Sequence, residues 1–297
     1  MIQINDDDLE QKYCEFRNKY FEAKNDENVE YFGLNFAEDQ DSEPIYKVYY
    51  TTKKSRATIP NLLKVLEKRN MIRAINKIDD TINKGCVRYE VGLGNRTNLN
   101  MEFIYNWIFE QFSFVQSRKI EIEKFCNLKC SNLKDYRYAA LYYIGMIIDF
   151  CSPCQVNPKA IKLHYLLREC KNPEKIGKDF LVDNVHIFEQ LNELQIYGLH
   201  QLVYAVSKML HNNEAELWMV AVDYYNNDVT KYKIYFKKFS ESVYENMIAV
   251  FREFDCIYLV TQVENYIKWI SFHPELERYG IAICLDSNNK WSVNFYH

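Results

Sequence analysis

Apolar positions along this chain switch between two periods. Stretches with apolar residues at every third or fourth position, the spacing of a helix face, fall at about 7 to 26, 59 to 83, 106 to 136, 172 to 212 and 239 to 272, the longer ones reading as two helices each. Between them lie short segments of alternating apolar and polar residues, the period of a half-buried strand. These come in pairs: YFGLNFA with IYKVYYTT, VRYEVGLG with NLNMEFIY, YYIGMIIDF with AIKLHYLL, LWMVAVDYY with KYKIYFKK, and YGIAICL with WSVNFYH. Polar turns such as Asp223 to Asp228 and Asp286 to Lys290 separate the members, as in a β-hairpin. The second strands are centred on Lys47, Asn100, Lys162, Lys233 and Asn294, a recurrence of about sixty residues.

Five hairpins with intervening helices predict an α+β chain, a ten-stranded antiparallel β-barrel of five ααββ-type repeats surrounded by helices. Closure removes the edges that an open ten-stranded sheet would expose. No Gly-, Pro- or Ser-rich stretch divides the chain, so residues 1–297 read as a single domain.

Strand alternation assigns faces. Lys47 and Tyr49 oppose Tyr46, Val48 and Tyr50; Lys162 and His164 oppose Ile161, Leu163 and Tyr165; Lys233 and Tyr235 oppose Tyr232, Ile234 and Phe236; Ser292, Asn294 and Tyr296 oppose Trp291, Val293 and Phe295. A solvated sheet would alternate in the same way, and the lysines of 231–238 also suit an exposed strand edge. In a closed barrel the apolar face packs under the helices and the polar face lines a lumen wide enough for a ligand. Such a lumen gathers Lys47, Lys162 and Lys233 with Tyr49, Tyr235 and Tyr296, and Lys231 and Tyr31 are further candidates. Ammonium groups stabilise a diphosphate, increasingly so as its ester bond breaks, and tyrosine faces stabilise and shield a developing cation. The combination fits ionisation of an allylic diphosphate and capture of the carbocation by a nucleophile. A base must take the nucleophile's proton. Arg88, Glu90 and Gly92 share one strand face, which makes Glu90 the first candidate and Glu102, beside Asn100 on the partner strand, the second. Salt-bridged lumen carboxylates would look the same. The second and fifth hairpins offer Asn, Glu, Ser and Tyr where the others offer Lys, and there the acceptor is expected to approach.

Composition narrows the field. A net charge of -4 and a pI near 5.9 give no general footprint for nucleic acid or an anionic membrane. The acidic start and the lack of a long apolar run predict a cytoplasmic protein without a signal peptide or membrane span. Nine scattered cysteines fit reduced thiols. Cys126, Cys130, Cys151 and Cys154 could be weighed as a zinc site, but their spacing lacks a knuckle and buried thiols are the better reading. His164 has no second ligand spaced with it and reads as a lumen histidine rather than a metal ligand. No metal-binding residues are assigned. Asp79-Asp80 stands alone, which argues against an all-helical isoprenoid synthase with its facing aspartate-rich pairs. Tyr 24 and Phe 18 suit a lined cavity as well as a core.

On these residues the chain resembles the ABBA-type aromatic prenyltransferases, whose helix-jacketed PT barrel binds a prenyl diphosphate. IDFCSPCQVNPKAIKLHYLLRECKNPEKIGK resembles a hairpin and following turn of the cyanobactin-type peptide prenyltransferases, and GCVRYEVGLGN with NLNMEFIY resembles their first hairpin, which carries the catalytic carboxylate. The resemblance implies Glu90 as catalytic base, Lys162 as a diphosphate ligand, a dimethylallyl or geranyl diphosphate donor with Mg²⁺, and an aromatic or heteroatom acceptor in a ribosomal peptide, an indole or another small aromatic. Glu102 stands where those relatives carry a basic residue. Their first hairpin is the second here, a rotated repeat order. A barrel that binds an anionic lipid or peptide without catalysis is the alternative from another class.

Overall fold

The computed structural model describes residues 5–26, 29–38, 44–51, 89–94, 98–104, 139–149, 160–167, 199–209, 215–225 and 228–297; between 89 and 167 it describes backbone path and strand register. Helix α1 (Asp6–Lys24) precedes the strand pairs β1 (Val29–Ala37) with β2 (Ile45–Thr51), β3 (Tyr89–Gly94) with β4 (Asn98–Ile104) and β5 (Ala139–Asp149) with β6 (Ala160–Leu167). Then follow α2 (Leu199–Met209), β7 (Glu216–Tyr225), β8 (Asp228–Lys237), α3 (Ser242–Glu253), α4 (Ile257–Ser271), β9 (Gly280–Asp286) and β10 (Trp291–Tyr296). The helices expected near 59–83 and 106–136 and the first half of 172–212 lie outside the described residues. So do Arg88 and the four cysteines weighed for zinc.

Every strand pairs antiparallel with its sequence neighbour, and β1 pairs with β10, which closes the ladder. One sequence reading needs correction. The stretch Asp223 to Asp228, expected as a turn, is mostly strand, and Asp223 is the register partner of Lys231. Opposite charges on facing rungs, with β-favouring Tyr224, Tyr225 and Val229 beyond them, carry the ladder past the acidic residue.

The register repeats itself. Within the hairpins, Lys47 faces Gly33, Asn100 faces Gly92, Lys162 faces Gly145, Lys233 faces Ala221 and Asn294 faces Ala282. Between hairpins the same five residues face Gly94, Ile147, Asp223, Cys284 and Asn35, each two positions beyond the small residue of the next hairpin. A stagger of constant size and sense tilts the strands evenly, so the five central residues return to one level around the barrel.

The helices cover the other face. In α1, Leu9, Tyr13, Phe16, Tyr20 and Ala23 are buried at spacings of three and four, a single stripe. Asp6, Asp7 and Asp8 in its first turn and Lys24 in its last complement the helix dipole. Phe16 meets Phe32 of β1 at 4.9 Å, and Tyr266 of α4 stacks on Phe295 of β10 at 3.9 Å. Asp255 adopts a left-handed conformation (φ 55°) between α3 and α4, and the Cys256 N–H bonds to the Phe251 carbonyl, a Schellman-type stop that divides the helical stretch in two.

Candidate functional site

Because all odd strands run one way and all even strands the other, the barrel has two different ends. The hairpin connections join strands at one end, and the longer connections join them at the other. Three levels of the interior face follow from the register.

The middle level is the belt of Lys47, Asn100, Lys162, Lys233 and Asn294, each opposite a glycine or alanine. Among the described residues the glycines are Gly33, Gly92, Gly94, Gly145 and Gly280, all in strands and all on this face. Glycine weakens a strand and marks a place where another group comes close to the backbone. At Gly33 a Cβ would stand 3.0 Å from Tyr49 Cε2 and 3.3 Å from Tyr296 Cε1, so the missing side chain is the space in which those two rings lie.

Two residues further along each second strand, toward the end of the longer connections, stand Tyr49, Glu102, His164, Tyr235 and Tyr296. Their hairpin partners are Tyr31, Glu90, Tyr143, Met219 and Gly280. The two carboxylates proposed from the sequence as bases are therefore direct cross-strand partners on the interior face. Two residues the other way stand Asn35 opposite Ile45, Asp223 opposite Lys231 and Cys284 opposite Ser292.

The best-defined geometry surrounds Lys233, only 6% exposed. Its ammonium donates to the Tyr296 hydroxyl at 2.6 Å and lies 4.8 Å from the Tyr235 ring centroid and 5.3 Å from that of Tyr296. Desolvating an ammonium costs several kcal/mol or more unless hydrogen bonds and ring faces replace its water. Here both are present. The Tyr235 and Tyr296 rings stack at 6.0 Å, Tyr296 meets Tyr31 edge-on at 5.5 Å, and Tyr31 lies 4.5 Å from Tyr49. Tyr49, Tyr235 and Tyr296 form one buried cluster with Met219, Ala221 and Ala282, with Tyr31 and Trp218 packed against it.

Sequence reasoning thus placed Lys47, Tyr49, Lys233, Tyr235, Asn294 and Tyr296 on the same face as Glu90, Asn100, Glu102, Lys162 and His164, and the register puts them there. The side chains of the latter five lie outside the described residues. It missed the small partners of the belt, Asp223, Cys284 and the aromatic pair Trp218 and Tyr279. Asn294 Nδ2 meets Cys284 Sγ at 3.5 Å. Among the described residues no group of three or more His, Cys, Asp or Glu could hold a metal ion. Nor, among them, is any helix long and apolar enough to cross a membrane.

No family model matches the chain, and no curated protein matches it in sequence. Solved structures do. The chain is similar to 6-dimethylallyltryptophan synthase from Micromonospora olivasterospora in complex with DMASPP and Trp, at 9% identity and a TM-score of 0.54, over 91% of this chain and 81% of that one. It is similar to AnaPT from Neosartorya fischeri at 9% identity and a TM-score of 0.51, over 90% and 76%. The 5-dimethylallyl tryptophan synthase from Streptomyces coelicolor, also in complex with DMASPP and Trp, gives 9% identity and 0.50 over 90% and 77%. At such identities the likeness is one of fold: an antiparallel sheet with helices arranged over most of the chain as in these proteins.

Proposed function

We propose that the protein is a prenyltransferase that moves a dimethylallyl or geranyl group from its diphosphate to an aromatic or heteroatom nucleophile inside the barrel. The observation that carries this reading is the buried Lys233 ammonium, bonded to Tyr296 and faced by two tyrosine rings, on a level shared by register with Lys47 and Lys162. Three lysines on one level suit a diphosphate there. Electron-rich ring faces are wanted one level on, where the allylic carbon gains positive charge.

In this proposal Lys47, Lys162 and Lys233 hold the diphosphate, and as the C–O bond breaks they take up the charge that accumulates on its oxygen. Tyr49, Tyr235 and Tyr296 flank the cation and keep water from it. Glu90 takes the acceptor's proton after the new bond forms, and its register partner Glu102 is the alternative base. Arg88, Asn100, His164 and Asn294 are assigned to the lumen around the acceptor. Lysines cannot ligate a cation, so Mg²⁺ fits the site only as part of the donor complex, held by phosphate oxygens. The solved structures of similar fold that hold DMASPP and Trp favour an allylic donor and an aromatic acceptor.

Five copies of one helix–hairpin unit, a single domain over 1–297, a cyanobactin-like peptide acceptor, a rotated repeat order and a cytoplasmic location belong to the same proposal. The constant register stagger supports the first, and the sequence of the third hairpin supports the peptide acceptor.

The test is mass spectrometry after incubation with dimethylallyl or geranyl diphosphate, Mg²⁺ and a panel of peptides and free aromatics. A product heavier by one prenyl group is expected, lost in Glu90→Gln with diphosphate binding retained. Binding without consumption of any donor would instead establish a carrier.

A further inference from the structure

The aromatic level continues outward. Tyr279 immediately precedes β9, its N–H donating to the Tyr296 carbonyl at 2.7 Å, so its backbone is tied to the barrel rim at the end of the longer connections. Its ring lies parallel to Tyr31, at 6° and 5.8 Å, and meets the edge of Trp218 at 78° and 5.5 Å. Trp218 in turn meets Tyr235 edge-on at 6.2 Å. From Tyr279 two paths of ring contacts lead inward, through Tyr31 to Tyr49 and Tyr296, and through Trp218 to Tyr235. Both end at the Lys233 ammonium. Exposure falls along them from 45% at Tyr279 to 5% at Tyr235 and Tyr296.

An exposed tyrosine on a surface usually turns its ring to water. This one is held parallel to Tyr31 and braced by the Trp218 indole while 45% exposed, so it reaches the rim as a ring of fixed orientation. Offset stacking and edge-to-face contact are the geometries aromatic rings prefer, and a further planar ring placed there extends an arrangement already built. The described cation at this rim, Lys237, two positions beyond Tyr235, is paired with Glu216 at 3.3 Å, and the lysine belt stands deeper. Glu90 and Glu102, by register on the level of Tyr49 and Tyr235, stand between rim and belt.

We infer that Trp218 and Tyr279 form the acceptor's receiving site, a clamp for a planar aromatic ring at the mouth opposite the hairpin turns, with the ring then passing inward along Tyr31 toward the carboxylates. This rests on the proposed reaction for its meaning but not for its test. The substrates then meet in a fixed order along the barrel axis: acceptor ring at the rim, the level shared by the carboxylate pair and the tyrosines, and the lysine belt.

The experiment uses the whole chain and N-acetyl-4-nitrophenylalanine amide, a planar aromatic that quenches tryptophan emission, with dimethylallyl diphosphate binding measured separately by calorimetry. Wild type should show saturable quenching. Tyr279→Ser should weaken the probe about tenfold, Tyr279→Phe should stay within about twofold, and Trp218→Leu should lose most of the quenching, all three binding the diphosphate as wild type does. Wild-type affinity for the probe in Tyr279→Ser, or equal loss of probe and diphosphate in it, would overturn the assignment. If the diphosphate fails to bind wild type while the probe follows this pattern, the prenyl-transfer reading fails and the rim site stands.

Discussion

Both faces of the sheet are rich in aromatic residues, and they use them in opposite ways. On the outer wall Tyr13, Phe16, Tyr266 and Trp269 interlock with Phe32, Phe36 and Phe295 to join helices to strands. The Trp269 indole N–H donates to Glu10 at 3.0 Å, and burial pushes the phenols of Tyr13 and Tyr266 far from ionising. In the lumen, Tyr235 and Tyr296 flank the Lys233 ammonium, with Tyr31 and Tyr49 packed against Tyr296. Rings packed on rings stabilise the fold; rings packed on a charge prepare a site. The comparison separates residues whose loss should unfold the protein from residues whose loss should leave it folded and inactive.

The sharpest break falls on the wall. Trp269 stacks on Tyr13 at 4.7 Å and meets Phe16 at 5.8 Å, so Trp269→Ala opens a cavity between α1, α4 and β1 and leaves Glu10 held by His273 and Arg17. A loss of about 3–5 kcal/mol in urea unfolding is expected, with turnover per folded molecule kept. Turnover lost without instability would assign Trp269 to the site and erase the distinction.

Lys233→Met makes the converse change. Removing the ammonium relieves its desolvation and gives up its bond to the Tyr296 hydroxyl, so the two effects offset and the stability change should stay within about 2 kcal/mol. Transfer of the prenyl group should fall by about 10²–10³-fold, the usual effect of losing one donor to a developing anion. A destabilised variant with full activity would reduce Lys233 to a packing residue.

pH probes the wall again. His297 is buried, its Nδ1–H donating to the Glu277 carbonyl at 2.9 Å while Nε2 accepts from the Tyr266 hydroxyl at 3.0 Å. Burial lowers its pKa from 6.5 to about 4, the carbonyl bond opposing the shift. In the unfolded chain the imidazole takes up a proton near its ordinary pKa, and in the folded chain it does not. Stability is therefore complete above about pH 6.5 and declines as pH falls toward 4, by up to about 3 kcal/mol. Urea midpoints between pH 7.5 and 4.5 should show the decline in wild type and a shallower one in His297→Gln; identical slopes would contradict the buried neutral imidazole.

The wall and the lumen also differed in how far they could be read from sequence. Alternation alone put Lys47 with Tyr49 and Lys233 with Tyr235 on one face, because a strand's period is independent of its partners. The partners themselves depend on register. The hairpin connections vary from two residues between Tyr225 and Asp228 to ten between Asp149 and Ala160, so no single turn type announces that Lys162 faces Gly145. A usable clue existed in the sparse glycines that fall inside strands. Trp218 was obscured by the register shift between Leu217 and Met219, and Tyr279, read as the first residue of its strand, stands just before it. The joint of Glu10 with Trp269 and His273 spans most of the chain, and nothing local in either segment points to the other.

The mildest test of the contrast lies where backbone meets lumen ring. Gly33→Ala puts a methyl group 3.0 Å from Tyr49 Cε2 and 3.3 Å from Tyr296 Cε1, and both rings must give by a few tenths of an ångström. The atoms that must move are ring edges rather than backbone, and alanine suits a strand better than glycine, so the net stability change should stay within about 1 kcal/mol. Tyr296 cannot shift without moving the hydroxyl that holds Lys233. A drop in prenyl transfer of about threefold to tenfold is therefore expected, with an unfolding midpoint near that of wild type. Unchanged transfer would mean that the lumen rings position nothing, and that their likeness to the wall is closer than the charge among them suggests.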